Sequence, residues 1–136
     1  TDGGENWTKL SGLPTTSSFI TYIAVKNDDP NTVWVTFGEF NKYCVYQSTN
    51  GGNNWTNISS GIPSIPVNTI IQDTMNTDEV ILYAGTEYGV YMKRGNANWT
   101  LYNDGMPKVV IDELDMYYSP SSHAECRLRA ATYGRG

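Results

Sequence analysis

With 136 residues, 39% of them hydrophobic and 12% aromatic, the chain is of single-domain size and has enough apolar surface for a core, which excludes a disordered segment. Its formal charge is −5 and its nine basic residues are scattered, with Arg127, Arg129 and Arg135 the one local group, so a nucleic-acid footprint is excluded. No apolar run approaches the roughly 20 residues that span a bilayer, and the start, which falls in mid-motif, lacks the pattern of a secretory signal.

The chain opens on Asp2-Gly3-Gly4 followed by Trp7, and the same device returns as Ser48, Asn50-Gly51-Gly52 and Trp55. A short Asx side chain hydrogen-bonds the backbone two residues on, and the glycines take positive φ without a Cβ clash, so each copy is expected to be a hairpin tip. The Trp would begin the return strand and fold its indole over the turn. Next come the step Gly12-Leu13-Pro14 and a strand over 19–25. A turn at 27–31 follows, then strands over 32–38 and 43–48 that lead into the second tip. The order then repeats: Gly61-Ile62-Pro63, a strand over 67–71, a turn at 76–79, strands over 80–86 and 89–93, and a worn tip with Gly95 and Trp99. A third round starts at Gly105-Met106-Pro107 and supplies strands over 109–114 and 128–132, with a turn at 119–122 between them.

Trp7, Trp55 and Trp99 are spaced by 48 and 44 residues. Short β-branched and aromatic runs between Gly, Pro, Asn and Asp predict antiparallel strands, and no stretch has helical periodicity. Four strands in each unit of about 45 residues predict an all-β protein built of β-propeller blades, in preference to a plain sandwich with coincidentally similar turns. On this reading residues 1–13 are the outer strand of a preceding blade, 14–59 and 60–103 are complete blades, and 104–136 are the first two strands of another. Because a propeller closes with about four to eight blades, further blades of the same parent chain, or other copies, are expected to cover the open faces.

The tips resemble the Asp-box, or bacterial neuraminidase repeat, Ser/Thr-x-Asp-x-Gly-x-x-Trp. Ser48, Asn50, Gly52 and Trp55 match it with Asn for Asp, and Asp2, Gly4 and Trp7 match the part present at the start. The third copy has Met92, Arg94 and Asn96 at the Ser/Thr, Asp and Gly positions but keeps Gly95 and Trp99. The Gly-Leu-Pro step and the closing run 128–136 look like propellers of large secreted proteins of Bacteroidota-type bacteria. The family includes sialidases, xyloglucan-cleaving glycosidases and sortilin-type receptors, and its box sits at the rim, away from the ligand-binding mouth. The resemblance therefore implies a fold and an extracellular setting, and no catalytic residue.

Asp2 and Asn50 are read as caps of their own turns in preference to metal or sugar ligands, and Asp28 and Asp29 as part of a strand connection. Asp112, Glu113, Asp115 and Tyr117 are the candidate ligand-facing residues. Alternation places Asp112 with Leu114 and Glu113 with Asp115 on opposite sides of one strand. Arg127, Arg129, Arg135 and Tyr133 invite a sialidase comparison, but Arg127 and Arg129 share one strand and one face, whereas sialidase arginines come from separate blades. His123, the one histidine, has neither a second His nor a Cys pair near it in sequence, so no metal site is expected. Cys44 and Cys126 are expected to be unpaired strand residues. Asn6, Asn54, Asn57 and Asn98 lie in N-glycosylation sequons, and Thr74, in Asp73-Thr74-Met75, is a candidate O-glycosylation site. The expected function is a scaffold or binding role toward glycan or protein, without a cofactor. The alternative is part of a glycoside hydrolase whose catalytic carboxylates lie mostly outside these residues.

Overall fold

The computed structural model describes residues 3–13, 19–40, 42–102, 105–120 and 125–134. Asp2, His123 and Arg135 lie outside the described residues. The fold is all-β, with three antiparallel sheets and no α-helix among the described residues. The first sheet runs in the order β1 (Ile20–Lys26), β2 (Asp29–Phe37), β3 (Val45–Ser48) and β4 (Thr56–Asn57). The second has the same order in β5 (Val67–Asp73), β6 (Ile81–Thr86), β7 (Gly89–Arg94) and β8 (Thr100–Leu101). The third pairs β9 (Ile111–Tyr117) with β10 (Arg127–Thr132).

The three sheets share one register. Ile20 pairs with Phe37, Val67 with Thr86 and Ile111 with Thr132, and the pairing then skips one residue, Thr21, Asn68 or Asp112, before it resumes. A skipped residue is a β-bulge, which reverses the alternation of faces beyond it. Beyond each second strand the same backbone bond recurs, from Gly38 N to Phe19 O at 3.2 Å, from Glu87 N to Pro66 O at 3.3 Å and from Tyr133 N to Val110 O at 3.3 Å.

The first strands β1, β5 and β9 lie side by side in chain order, and β2 touches β5 as β6 touches β9. Between the first and second sheets Trp34, Cys44, Val45, Ile70, Leu82, Ala84, Tyr91 and Trp99 form one core. Between the second and third, Val90, Ile111 and Leu114 form another, with Ile71, Tyr83, Leu128 and Ala130 packed on it. On the outer side of the first sheet Val35, Phe37 and Tyr46 are covered by Leu13, Val33 and Trp55, while Ile23 and Val25 remain 58% and 54% exposed.

Two expectations are corrected. Residues 3–13 contain no strand, since they pair with none of the three sheets, and Trp7 is 89% exposed. The return strands β4 and β8 are two residues long and begin one residue after Trp55 and Trp99. Cys44 and Cys126 are not joined in a disulfide; each stands one residue ahead of a strand, and burial pushes the Cys44 thiol above its ordinary value.

Candidate functional site

The second tip is a closed hydrogen-bond unit. The Ser48 hydroxyl accepts from the amides of Gly52 (2.8 Å) and Asn50 (3.3 Å) and donates to Asn50 Oδ1 (3.0 Å), which in turn accepts from Asn54 N at 2.9 Å. Gly51 and Gly52 have φ of 67° and 90°, where a Cβ would be strained, and Gly3 and Gly4 of the first copy repeat these angles at 69° and 90°. The Trp55 ring and Leu10 crowd onto Gly52, as the Trp7 ring does onto Gly4. The Ser48 hydroxyl and Asn50 Oδ1 are thus spent on the turn itself, as a cap requires. In the third copy Gly95 has φ 48° and Ala97 N bonds Arg94 O at 2.9 Å, a plain turn with no hydroxyl at its centre.

The Gly-apolar-Pro steps have a role that the sequence did not disclose. Gly61 lies against the backbone of Trp99, where a Cβ would stand 2.1 Å from its carbonyl oxygen. Trp99 N bonds Ser60 O at 2.9 Å and its Nε1 donates to Ile58 O at 2.7 Å. Gly12 lies more loosely, with Asn53 O and the Trp55 ring 3.2 and 3.8 Å from where a Cβ would stand. The first two steps thus lie under the Trp of the following copy, that at Gly61 far more closely. Trp55 Nε1 has no hydrogen-bond partner among the described residues, and Trp55 is accordingly less buried than Trp99. Ser59 was also missed: buried, it receives the Cys44 and Val45 amides at 2.9 Å each and fastens β3 to the segment after β4.

Of the candidate ligand-facing residues, three come together. Glu113, Asp115 and Tyr117 pair with Ala131, Arg129 and Arg127 across β9 and β10 and lie exposed on the side of the third sheet turned away from the second. Arg129 stands over the Tyr117 ring, 5.1 Å from its centroid, and 3.9 Å from Asp115 Oδ2. Both charged side chains are more than 60% exposed, at 62% and 69%, so water screens this pair and it holds little stability. A shallow recess of 260 Å³ is lined by Glu113, Asp115, Arg129, Ala130 and Ala131. Asp112 does not share the side of Leu114, as alternation had placed it. It is the bulge residue, so Ile111 and Leu114 both enter the core and Asp112 is turned out. The other two bulge residues reach across sheets: Thr21 Oγ1 donates to Val67 O at 2.5 Å and Asn68 Nδ2 to Ile111 O at 3.1 Å.

Thr74 is half-buried at the end of β5, and its amide donates to the Tyr118 hydroxyl at 2.7 Å, which ties the third sheet to the second. Asn6, Asn54, Asn57 and Asn98 are all exposed. Asp28 is held below the usual carboxylate range by the hydrogen bond that Lys26 donates to it, and Asp29 by that from Thr32, which accounts for both at the β1–β2 turn. No group of three or more His, Cys, Asp or Glu placed to hold a metal ion occurs among the described residues. No family model matches the chain, and neither a curated protein nor a solved structure matches it.

Proposed function

We propose that the chain is a segment of an extracellular Asp-box β-propeller with a scaffold role and a binding role toward glycan or protein, exercised through loops at one face of the ring. The observation that carries the reading is the threefold register: each sheet has the bulge after the first paired residue, and each first strand lies beside the next, as a radial array requires. Glu113, Asp115, Tyr117 and Arg129 lie on the side of the third sheet that the next sheet of such an array would cover, which places them as contacts between sheets. The carboxyls of Glu113 and Asp115 sit on one strand beside one shallow recess, not on opposite sides of a cleft as a pair flanking a scissile bond would. Further sheets of the same kind would cover the apolar outer side of the first sheet.

A polysaccharide and glycan binding screen tests this role. Retention of a glycan without release of reducing ends is the expected result, and no retention of any glycan or protein would remove the binding role. Hydrolysis that disappears in Glu113→Gln or Asp115→Asn would replace the binding role with an enzymatic one.

A further inference from the structure

A recess of 310 Å³ opens between the first and second sheets, both of which have all four strands. The register explains which side chains line it. On the first sheet Ala24, Trp34, Gln47 and Thr56 form one row across the four strands. On the second, Leu82 pairs with Lys93. Trp34 and Leu82 belong to one core, so these two rows face each other across the gap between the sheets. Trp34, Gln47, Leu82 and Lys93 all line the recess.

Trp34 is 1% exposed, and its Nε1 has no hydrogen-bond partner among the described residues. The N–H of Trp99 in the same core is spent on Ile58 O at 2.7 Å. A buried donor without a partner carries its full desolvation penalty, so Trp34 calls for an acceptor from outside the fold. Lys93 is half-buried, and its ammonium donates to Ala97 O, a neutral group, which leaves it further protons to give. Burial holds Lys93 below its ordinary value, as befits a cation that water reaches poorly. Two carboxylates line the recess as well. Asp29 accepts from Thr32 Oγ1 at 2.7 Å and Glu79 from Arg94 Nε at 3.1 Å, and with about four acceptor sites each neither is saturated. An anion entering here would meet Asp29 and Glu79, and a cation would meet Lys26 and Lys93. A hydroxyl both donates and accepts, so a neutral polyhydroxylated ring satisfies every group present, and its C–H faces match Val80 and Leu82. Ligand pockets span about 300–1,000 Å³, and this one, at the small end, has room for one ring in place of a chain.

We propose that this recess is a binding site for a single neutral sugar ring. The Trp34 N–H and the Lys93 ammonium donate to its hydroxyls, Asp29 and Glu79 accept from them, and the Gln47 amide serves both ways. The site rests on the glycan side of the proposed function, but it needs only the two complete sheets and no closed ring. The test is an NMR titration of the isotope-labelled 136-residue chain with glucose, galactose, mannose and N-acetylglucosamine, beside the charged sugars glucuronate and glucosamine. Loss of one indole signal in Trp34→Phe identifies the reporter. Expected is saturation by at least one neutral sugar in the millimolar range, with the Trp34 indole N–H and the Gln47 and Lys93 amides moving most. Both charged sugars should bind more weakly. Binding should fall about tenfold or more in Lys93→Met and in Gln47→Leu, and a spectrum that keeps the folded pattern qualifies either variant. Any one of four results overturns the site: no saturation by the neutral sugars, a charged sugar bound as tightly, movement centred on other residues, or a folded variant that binds equally well. An indole N–H of Trp34 held by water alone and unmoved by every sugar is the first of these. Glycan retention by the chain with the Trp34 signal unmoved would sink this site and leave the proposed role. Sugar bound here without a ring of sheets in the source protein would sink the propeller reading and leave the site.

Discussion

At the scale of single residues the glycines divide into those that turn the chain and those that admit a neighbour, and substitution should tell them apart. Gly61, with φ 105° and the Trp99 backbone where a Cβ would go, is under both constraints, whereas Gly105, with φ 73°, faces open space. Gly61→Ala should cost about 3 kcal/mol or more and Gly105→Ala about 1 kcal/mol, read from urea unfolding midpoints. Trp99→Phe leaves Ile58 O without its donor, while Trp55→Phe removes an N–H with no partner among the described residues. The first should therefore cost about 1–2 kcal/mol more than the second in the same measurement. Two phenols give a pH dependence with a defined sign. Burial, with Tyr102 close by, raises Tyr83 above its ordinary 10.0, and burial raises Tyr91. The folded chain keeps these protons longer than the unfolded one, so the stability they support is complete below about pH 10 and declines as pH rises past it. Unfolding midpoints that stay level from pH 9 to 11 would contradict this.

At the scale of strands and turns, the bulge residues are the ties between sheets. Asn68→Ala should remove the bond to Ile111 O and speed hydrogen exchange in β9 and β10 more than in β1 and β2. The pattern of strands and tips was legible because Gly, Pro and Asx punctuate it and β-branched residues fill it. The capping role of Asn50 was likewise readable, since it is written in local spacing, whereas Ser48 stood out only as a matched position of the box. The bulges were not, because nothing in Thr21, Asn68 or Asp112 as residue types announces a skipped partner, and one skip sufficed to misplace Asp112 relative to Leu114. The clasp of Gly61 by Trp99 was illegible for another reason: it joins residues 38 apart, and the motif that contains each explains it locally. The contact of Arg129 with Tyr117 and Asp115 was hidden because the register across β9 and β10 had to be known before the three could be put on one side.

At the scale of the whole molecule, position in the array decides what an equivalent residue is worth. Ile23 and Ile70 hold the same register, yet one is 58% exposed and the other 1%. Ile70→Ala should cost about 3 kcal/mol and Ile23→Ala under about 1 kcal/mol in the 136-residue chain, with the two costs converging once another sheet covers Ile23. A chain in which both substitutions cost the same would mean that the outer side of the first sheet is already occupied. The clasps also give the array a direction. Because Trp99 reaches back over Gly61 to Ile58 in the unit before it, and Trp55 lies over Gly12 likewise, successive units overlap like slates on a roof, each holding down the edge of its predecessor. A break at one unit therefore lifts the slate behind it and leaves the one ahead seated, so damage should travel toward the start of the chain.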